Sequence, residues 1–148
     1  APEGLRSFAA FGTYCRYGSD LTPLQRELAI LVALRDVTYG WHHHAPLGLA
    51  AGLTQEQINL IRDGRAPRDL DPPTLTLCEF AFEITAARRV PPRIEDAVHA
   101  ILTPRQIVDF ALLVSYYVAV ASMVIVLDIP LESPEALLRE QAWQAEHG

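Results

Sequence analysis

Three times along the chain a Leu-Thr pair is followed, after two more residues, by glutamine: LTPLQ at residues 21–25, LTQEQ at 53–57 and LTPRQ at 102–106. Threonine with glutamine three positions later is a capping box, in which each side chain satisfies the backbone N–H of the other. Proline directly after the threonine in the first and third suits the first helical position, where no backbone donor is needed. Helices are therefore expected to start near residues 23, 55 and 104. Asp71-Pro72 and Ser133-Pro134 read as two more N-caps followed by proline, Gly52 and Gly64 as C-caps, and Pro91-Pro92 as the stop of the helix running through EFAFEITAARR. No segment sustains period-2 alternation with β-branched bias, so no strand is expected and the class is all-α, with roughly seven or eight helices. With 148 residues, half of them hydrophobic, the chain can bury one sizeable core, and residues 1–148 are taken as a single domain. The two LTPxQ helices continue alike, LAILVAL and VDFALLV, which we read as two buried helices capped alike rather than as a duplication. The polar, proline-rich stretch DGRAPRDLDPP at residues 63–73 reads as a surface loop between two helical halves.

A formal charge of −6 with scattered arginines argues against a nucleic-acid partner, which selects for clustered cations. Cys15 and Cys78 form neither a CxxC pair nor a disulfide framework, and no charged-then-apolar signal opens the sequence, so an intracellular, cytoplasmic protein with reduced thiols is expected. Residues 110–127, FALLVSYYVAVASMVIVL, carry no formal charge and approach the length of a membrane span. Two tyrosines and two serines within the run, Asp109 and Asp128 at its ends and the lack of a flanking Lys/Arg cluster favour instead the central helix of a helical domain or its oligomer, apolar all round because it is covered all round. No membrane partner is expected.

Several side chains could carry chemistry. Glu27 shares a helix face with Ile30, Leu31 and Leu34, so its carboxylate projects from an apolar face and needs a partner or a raised pKa if buried; a solvated helix-start glutamate is the alternative. His42, His43 and His44 point about 100° apart on a helix and cannot all ligate one metal, and His99 and His147 lack a second histidine at ligand spacing, so no metal site is expected. Trp41, His44, Ala45, Gly48 and Leu49 share one stripe, which makes His44 the inward-facing histidine and places His42 and His43 on the rim or surface. Pro46 removes a donor from the His42 carbonyl, one turn from His44. Tyr116 and Tyr117 fall within the apolar helix, where a buried hydroxyl needs a partner or a polar cavity.

These features together are similar to one family. The segment EGLRSFAAFGTYCRYGSDLTPLQRELAILVALRDVTYGWHHHAPLGLAAGLTQEQI, followed by LTPRQIVDFALLVSYYVAVASMVIVLDI, resembles the carboxymuconolactone decarboxylase family, within the superfamily of alkylhydroperoxidase D. The resemblance rests on the R-E-L helix with Glu27, the run of Tyr39, Trp41 and His44, the AGLT junction after it and the YY helix with Tyr117. It implies an alkylhydroperoxidase D-like helical bundle assembled into trimers or hexamers, with the pocket among helices. His44 would match a histidine that transfers protons in the decarboxylases, and Glu27 a glutamate that helps form the site in the peroxidase branch. Val37 and Gly40 stand where the peroxidases carry their CxxC cysteines, which argues against thiol peroxidase chemistry. Gly40 also stands where many relatives have glutamate, and its loss is expected to open space beside His44.

The resulting expectation is a cofactor-free lyase or isomerase acting on a small conjugated carboxylic acid, lactone or ketone. His44 would be the general acid or base, Glu27 its orienting carboxylate, and Tyr117 or Tyr39 the donor to a developing oxyanion. Trp41 would form an apolar wall, with Tyr39, His43 and Tyr116 completing the substrate-binding set. No cofactor is needed, because the conjugated carbonyl takes up the electrons. The alternative is a non-catalytic binding or assembly module of the same fold, and a peroxidase-like reductase ranks third. A small-molecule substrate and a homo-oligomer are the expected partners, since 148 residues can hardly cover both the 110–127 helix and the LAILVAL helix.

Overall fold

A computed structural model describes residues 1–87 and 89–147, including side chains except those of residues 137, 140, 141 and 144–147. Eight α-helices follow one another among the described residues, without a strand: α1 (Pro2–Thr13), α2 (Pro23–Leu34), α3 (Thr38–Ala50), α4 (Gln55–Arg62), α5 (Pro72–Thr85), α6 (Pro92–Ile101), α7 (Pro104–Val126) and α8 (Pro134–His147). A single π turn, Tyr14–Gly18, extends α1.

The helix starts form where the capping chemistry places them. Gln25 N–H donates to Thr22 Oγ1 at 3.2 Å while Thr22 N–H donates to Gln25 Oε1 at 2.9 Å, and the same reciprocal pair closes the starts of α4 and α7. Asp71 caps α5 through the Thr74 N–H, and Ser133 accepts from the Ala136 N–H at the start of α8. Gly52 and Gly64 end α3 and α4 at φ of 110° and 74°, a left-handed turn in which Leu53 N–H reaches back to Gly48 O and Arg65 N–H to Leu60 O. One boundary differs from expectation. The helix through EFAFEITA ends at Thr85, because Ala87 adopts φ 51° and its N–H returns to Ile84 O, turning the chain before the prolines at 91 and 92; Arg88, expected within that helix, lies outside the described residues.

The fully covered helix is α2 rather than α7. Leu28, Ala29, Ile30, Leu31 and Val32 have no exposed surface, enclosed by α3, α5 and α7. Helix α7 buries one face, including Phe110, Leu113, Val114 and Tyr117, and leaves Val108, Ile125 and Val126 57, 63 and 80% exposed. At 23 residues it is about 34 Å long. By length and composition it could cross a membrane, and it is the one such helix among the described residues.

Two glycines set the spacing of α3 on α2. A Cβ on Gly40 would lie 2.5 Å from Leu34 Cδ1, and one on Gly48 2.7 Å from Leu31 Cδ1, so the α2 leucines fill the space that side chains would need. A side chain at Gly40 would thus meet Leu34, while the glycine itself lines a cavity beside His44. Pro46 lies inside α3. Tyr14 Oη donates to Asp109 Oδ1 at 2.7 Å and ties the π turn to α7.

Candidate active site

Helices α2 and α3 cross so that Glu27 and His44 meet, with His44 Nδ1 2.8 Å from Glu27 Oε2. The pair is enclosed, the two residues being 8 and 6% exposed. An ionised carboxylate only accepts hydrogen bonds, so Nδ1 carries the hydrogen and donates it. That leaves Nε2 as the ring nitrogen available for proton exchange. His44 lines a cavity of about 120 Å³, together with Leu34, Gly40 and Val120. Tyr117, from α7, stands edge-on to the imidazole, ring centroids 5.2 Å apart at 85°. Burial above all raises the Tyr117 phenol well beyond the ordinary tyrosine range, with the Glu27 charge adding to the rise, so its hydroxyl stays protonated and able to donate.

A second imidazole and a second carboxylate form the adjacent wall. His43 Nε2 lies 3.1 Å from Glu132 Oε2, and the Tyr39 hydroxyl donates to Glu132 Oε1. Partial burial works to raise the Glu132 carboxyl, but the Tyr39 hydroxyl, the local backbone and His43 outweigh it and hold the group below its ordinary value. Glu132 sits in the connector between α7 and α8, so this contact fastens the connector over the cavity wall.

The structure thus brings five of the expected residues to one cavity: Glu27 through its bond to His44, and His44, Tyr117, Tyr39 and His43 on the wall. His43 differs from expectation by being buried, 7% exposed, because the Glu132 connector covers it; His42 is exposed as expected. Trp41 does not line the cavity. Its indole is buried elsewhere, under the Arg62 guanidinium of α4 at 5.1 Å, because α4 packs against that part of the helix face. Leu49, assigned to the inward stripe, is 43% exposed at the end of α3. Tyr116 packs against Phe8 and Phe11 of α1 and lines a neighbouring cleft of about 320 Å³. This cleft and the cavity share Arg16, Tyr117 and Val120.

Arg16 and Glu132 carry no expectation from the sequence, and Leu34 is expected only as an apolar neighbour of Glu27 on α2. The only advance signal for Glu132 is its place between Pro130 and Pro134, and for Arg16 its place among Tyr14, Cys15 and Tyr17. Both cysteines are buried: burial pushes the Cys78 thiol up to about 12, and burial with the Asp109 charge raises Cys15. Among the described residues no three His, Cys, Asp or Glu side chains converge as a metal-ligand set. The side chain of His147 lies outside the described residues.

The all-helical fold is alkylhydroperoxidase D-like. The backbone superimposes with a TM-score of 0.75 on the crystal structure of a protein of unknown function from Agrobacterium tumefaciens that has been suggested to be the antioxidant defence protein AhpD, at 13% identity, covering 90% of this chain and 93% of that one. The chain belongs to the carboxymuconolactone decarboxylase family, whose sequence model matches residues 2–83. That span runs from α1 into α5 and includes Glu27, Tyr39, His43 and His44, while Tyr117 and Glu132 lie beyond it. No curated protein matches the sequence.

Proposed function

We propose that this protein is a cofactor-free lyase or isomerase that moves a proton at a carbon of a small conjugated carboxylic acid, lactone or ketone. The observation that carries the reading is the Glu27–His44 hydrogen bond, which leaves Nε2 for a ligand in the cavity. In a decarboxylation, the electrons of the breaking C–C bond pass into the conjugated carbonyl, and Nε2 delivers a proton to the resulting carbanion. In an isomerisation Nε2 removes the proton first and returns it one position along. Glu27 stabilises the imidazolium, and the protonated Tyr117 hydroxyl donates to the oxyanion as charge develops. His43 and Tyr39, held by Glu132, shape the opposite wall.

The dimensions support a small ligand. A volume of about 120 Å³ is comparable with the roughly 150 Å³ of an engineered cavity that takes up benzene. Against thiol peroxidase chemistry stand the two buried, raised thiols, because the thiolate is the reactive form. The exposed apolar end of α7, with Ile125, Val126 and Leu127, supports a homo-oligomer, a trimer or hexamer, in which these residues are covered. A soluble, cytoplasmic setting completes the reading, in keeping with the two free cysteines.

One observation favours a binding or assembly module instead: Leu34 fills the place where a Gly40 side chain would stand, so the family carboxylate has been replaced by hydrocarbon. The two readings separate when wild type and His44→Ala are incubated with γ-carboxymuconolactone and related keto-acids and lactones, following ultraviolet absorbance and CO₂. Turnover that collapses in the variant supports the enzyme; binding with no turnover in either protein supports the module.

A further inference from the structure

Arg16 has no task in the proton-transfer reading, yet its surroundings are specific. It is partly buried, its guanidinium lies over the Tyr17 ring at 5.1 Å, and it makes no ion pair with any described residue. The chain carries eighteen acidic residues against twelve basic ones, so acidic partners are in ample supply. Withdrawing a charge from water is costly unless an opposite charge or good hydrogen bonds replace the solvent, and an arginine in this state is best satisfied by an anion from outside the chain.

Its position says where that anion would sit. Arg16 lies on the wall common to the His44 cavity and the neighbouring 320 Å³ cleft, whose other sides include Gly12, Tyr17 and Tyr116. Its charge reaches both phenols there, opposing the larger upward push that burial gives Tyr116 and Tyr117. The backbone also aims it. Arg16 occupies the middle of the π turn, where the wider winding rotates the side chain away from the α1 register, and such turns recur at functional sites. The Tyr14–Asp109 bond holds that turn against α7.

We propose that Arg16 is the specificity-determining anchor for a carboxylate, and that the ligand spans both cavities. Its reactive carbon lies against His44 Nε2, its planar apolar body runs along Tyr117 and Val120, and its carboxylate pairs with the guanidinium where the cavities meet. The ligand class is therefore a conjugated carboxylate too long for the His44 cavity alone. This deepens the reading of that cavity as the reaction site and rests on it.

The test measures binding separately from turnover. Calorimetric titration of wild type, Arg16→Gln, Arg16→Lys and His44→Gln with cinnamate and its neutral isostere cinnamamide reads the anion preference directly. Wild type is expected to prefer cinnamate by about tenfold or more, the worth of a charge-assisted pair. Arg16→Gln should bring the two ligands within about twofold, Arg16→Lys should restore part of the preference, and His44→Gln should keep it. Arg16 is partly exposed, so circular dichroism of its variants should match wild type. Equal binding of acid and amide by wild type, a preference that survives in Arg16→Gln, or no binding of either ligand at millimolar concentration would each overturn the proposal. Anion preference lost in Arg16→Gln, with no turnover by wild type, supports the anchor and removes the reaction; turnover with the preference intact in Arg16→Gln does the reverse.

Discussion

Glu27 and His44 lie seventeen residues apart in sequence, on two different helices, and their side chains close a 2.8 Å hydrogen bond while only about a tenth of each remains exposed. Replacing Glu27 by alanine strands the Nδ1–H in the interior and should cost about 1–3 kcal/mol in chemical denaturation. Glu27→Gln keeps an acceptor but removes the charge that stabilises the imidazolium. It should hold most of the stability while lowering turnover by about 10²-fold or more.

The Gly40–Leu34 contact makes a second prediction. Gly40→Ala places a methyl group 2.5 Å from Leu34 Cδ1, so it should destabilise the fold by about 1 kcal/mol or more despite the helix-favouring change. Leu34→Ala alone leaves a cavity and should cost about 2–5 kcal/mol. The double variant should be more stable than the sum of the two losses, because each change relieves what the other creates. Strict additivity in a denaturation cycle would mean that the two residues do not compete for one volume.

Glu132 makes a pH-dependent one. Its carboxyl is held below its ordinary value of 4.5, so the folded chain binds this proton less readily than the unfolded chain. The contribution is therefore fully present above the ordinary value and is lost as pH falls through the lowered one. The melting-temperature difference between wild type and Glu132→Gln should be present at pH 6 and shrink below about pH 4. Cleavage by a broad-specificity protease between residues 127 and 134 should also be faster in Glu132→Gln at neutral pH.

The thiols should be silent. A Cys78 pKa of about 12 leaves only about one thiolate in 10⁵ at pH 7, and Cys15 is shifted in the same direction. Both should resist an aromatic disulfide reagent in the native protein and react fully in denaturant, and the Cys15→Ser/Cys78→Ser double variant should keep whatever activity wild type shows.

Much of this architecture is written in local chemistry. The capping boxes at Thr22, Thr54 and Thr103 mark three helix starts to the residue, since a cap depends on neighbours in sequence alone. Glu27 and His44 were legible for a related reason: a polar group on the apolar face of a helix must be answered from another element. What the sequence could not convey was set by packing between distant segments. Glu132 meets Tyr39 ninety-three residues away, and that contact buries His43 and turns a presumed surface histidine into part of the wall. Trp41 and His44 share a helix face at three-residue spacing, yet α4 claims the first and the cavity the second. Arg16 gave no signal because the π turn that aims it has no clear sequence signature, and the covering of α2 rather than α7 follows from how long α7 is relative to its neighbours.

The central claim is that His44 Nε2, with Nδ1 held by Glu27, exchanges protons with carbon. The most direct test follows deuterium entry from D₂O into γ-carboxymuconolactone and the related conjugated keto-acids and lactones by proton NMR, with wild type and His44→Gln side by side. The account predicts catalysed exchange or deuterated product with wild type on at least one compound, reduced about 10²-fold or more in the variant. Equal exchange by the two proteins, or none above the buffer rate with wild type on every compound, would contradict it.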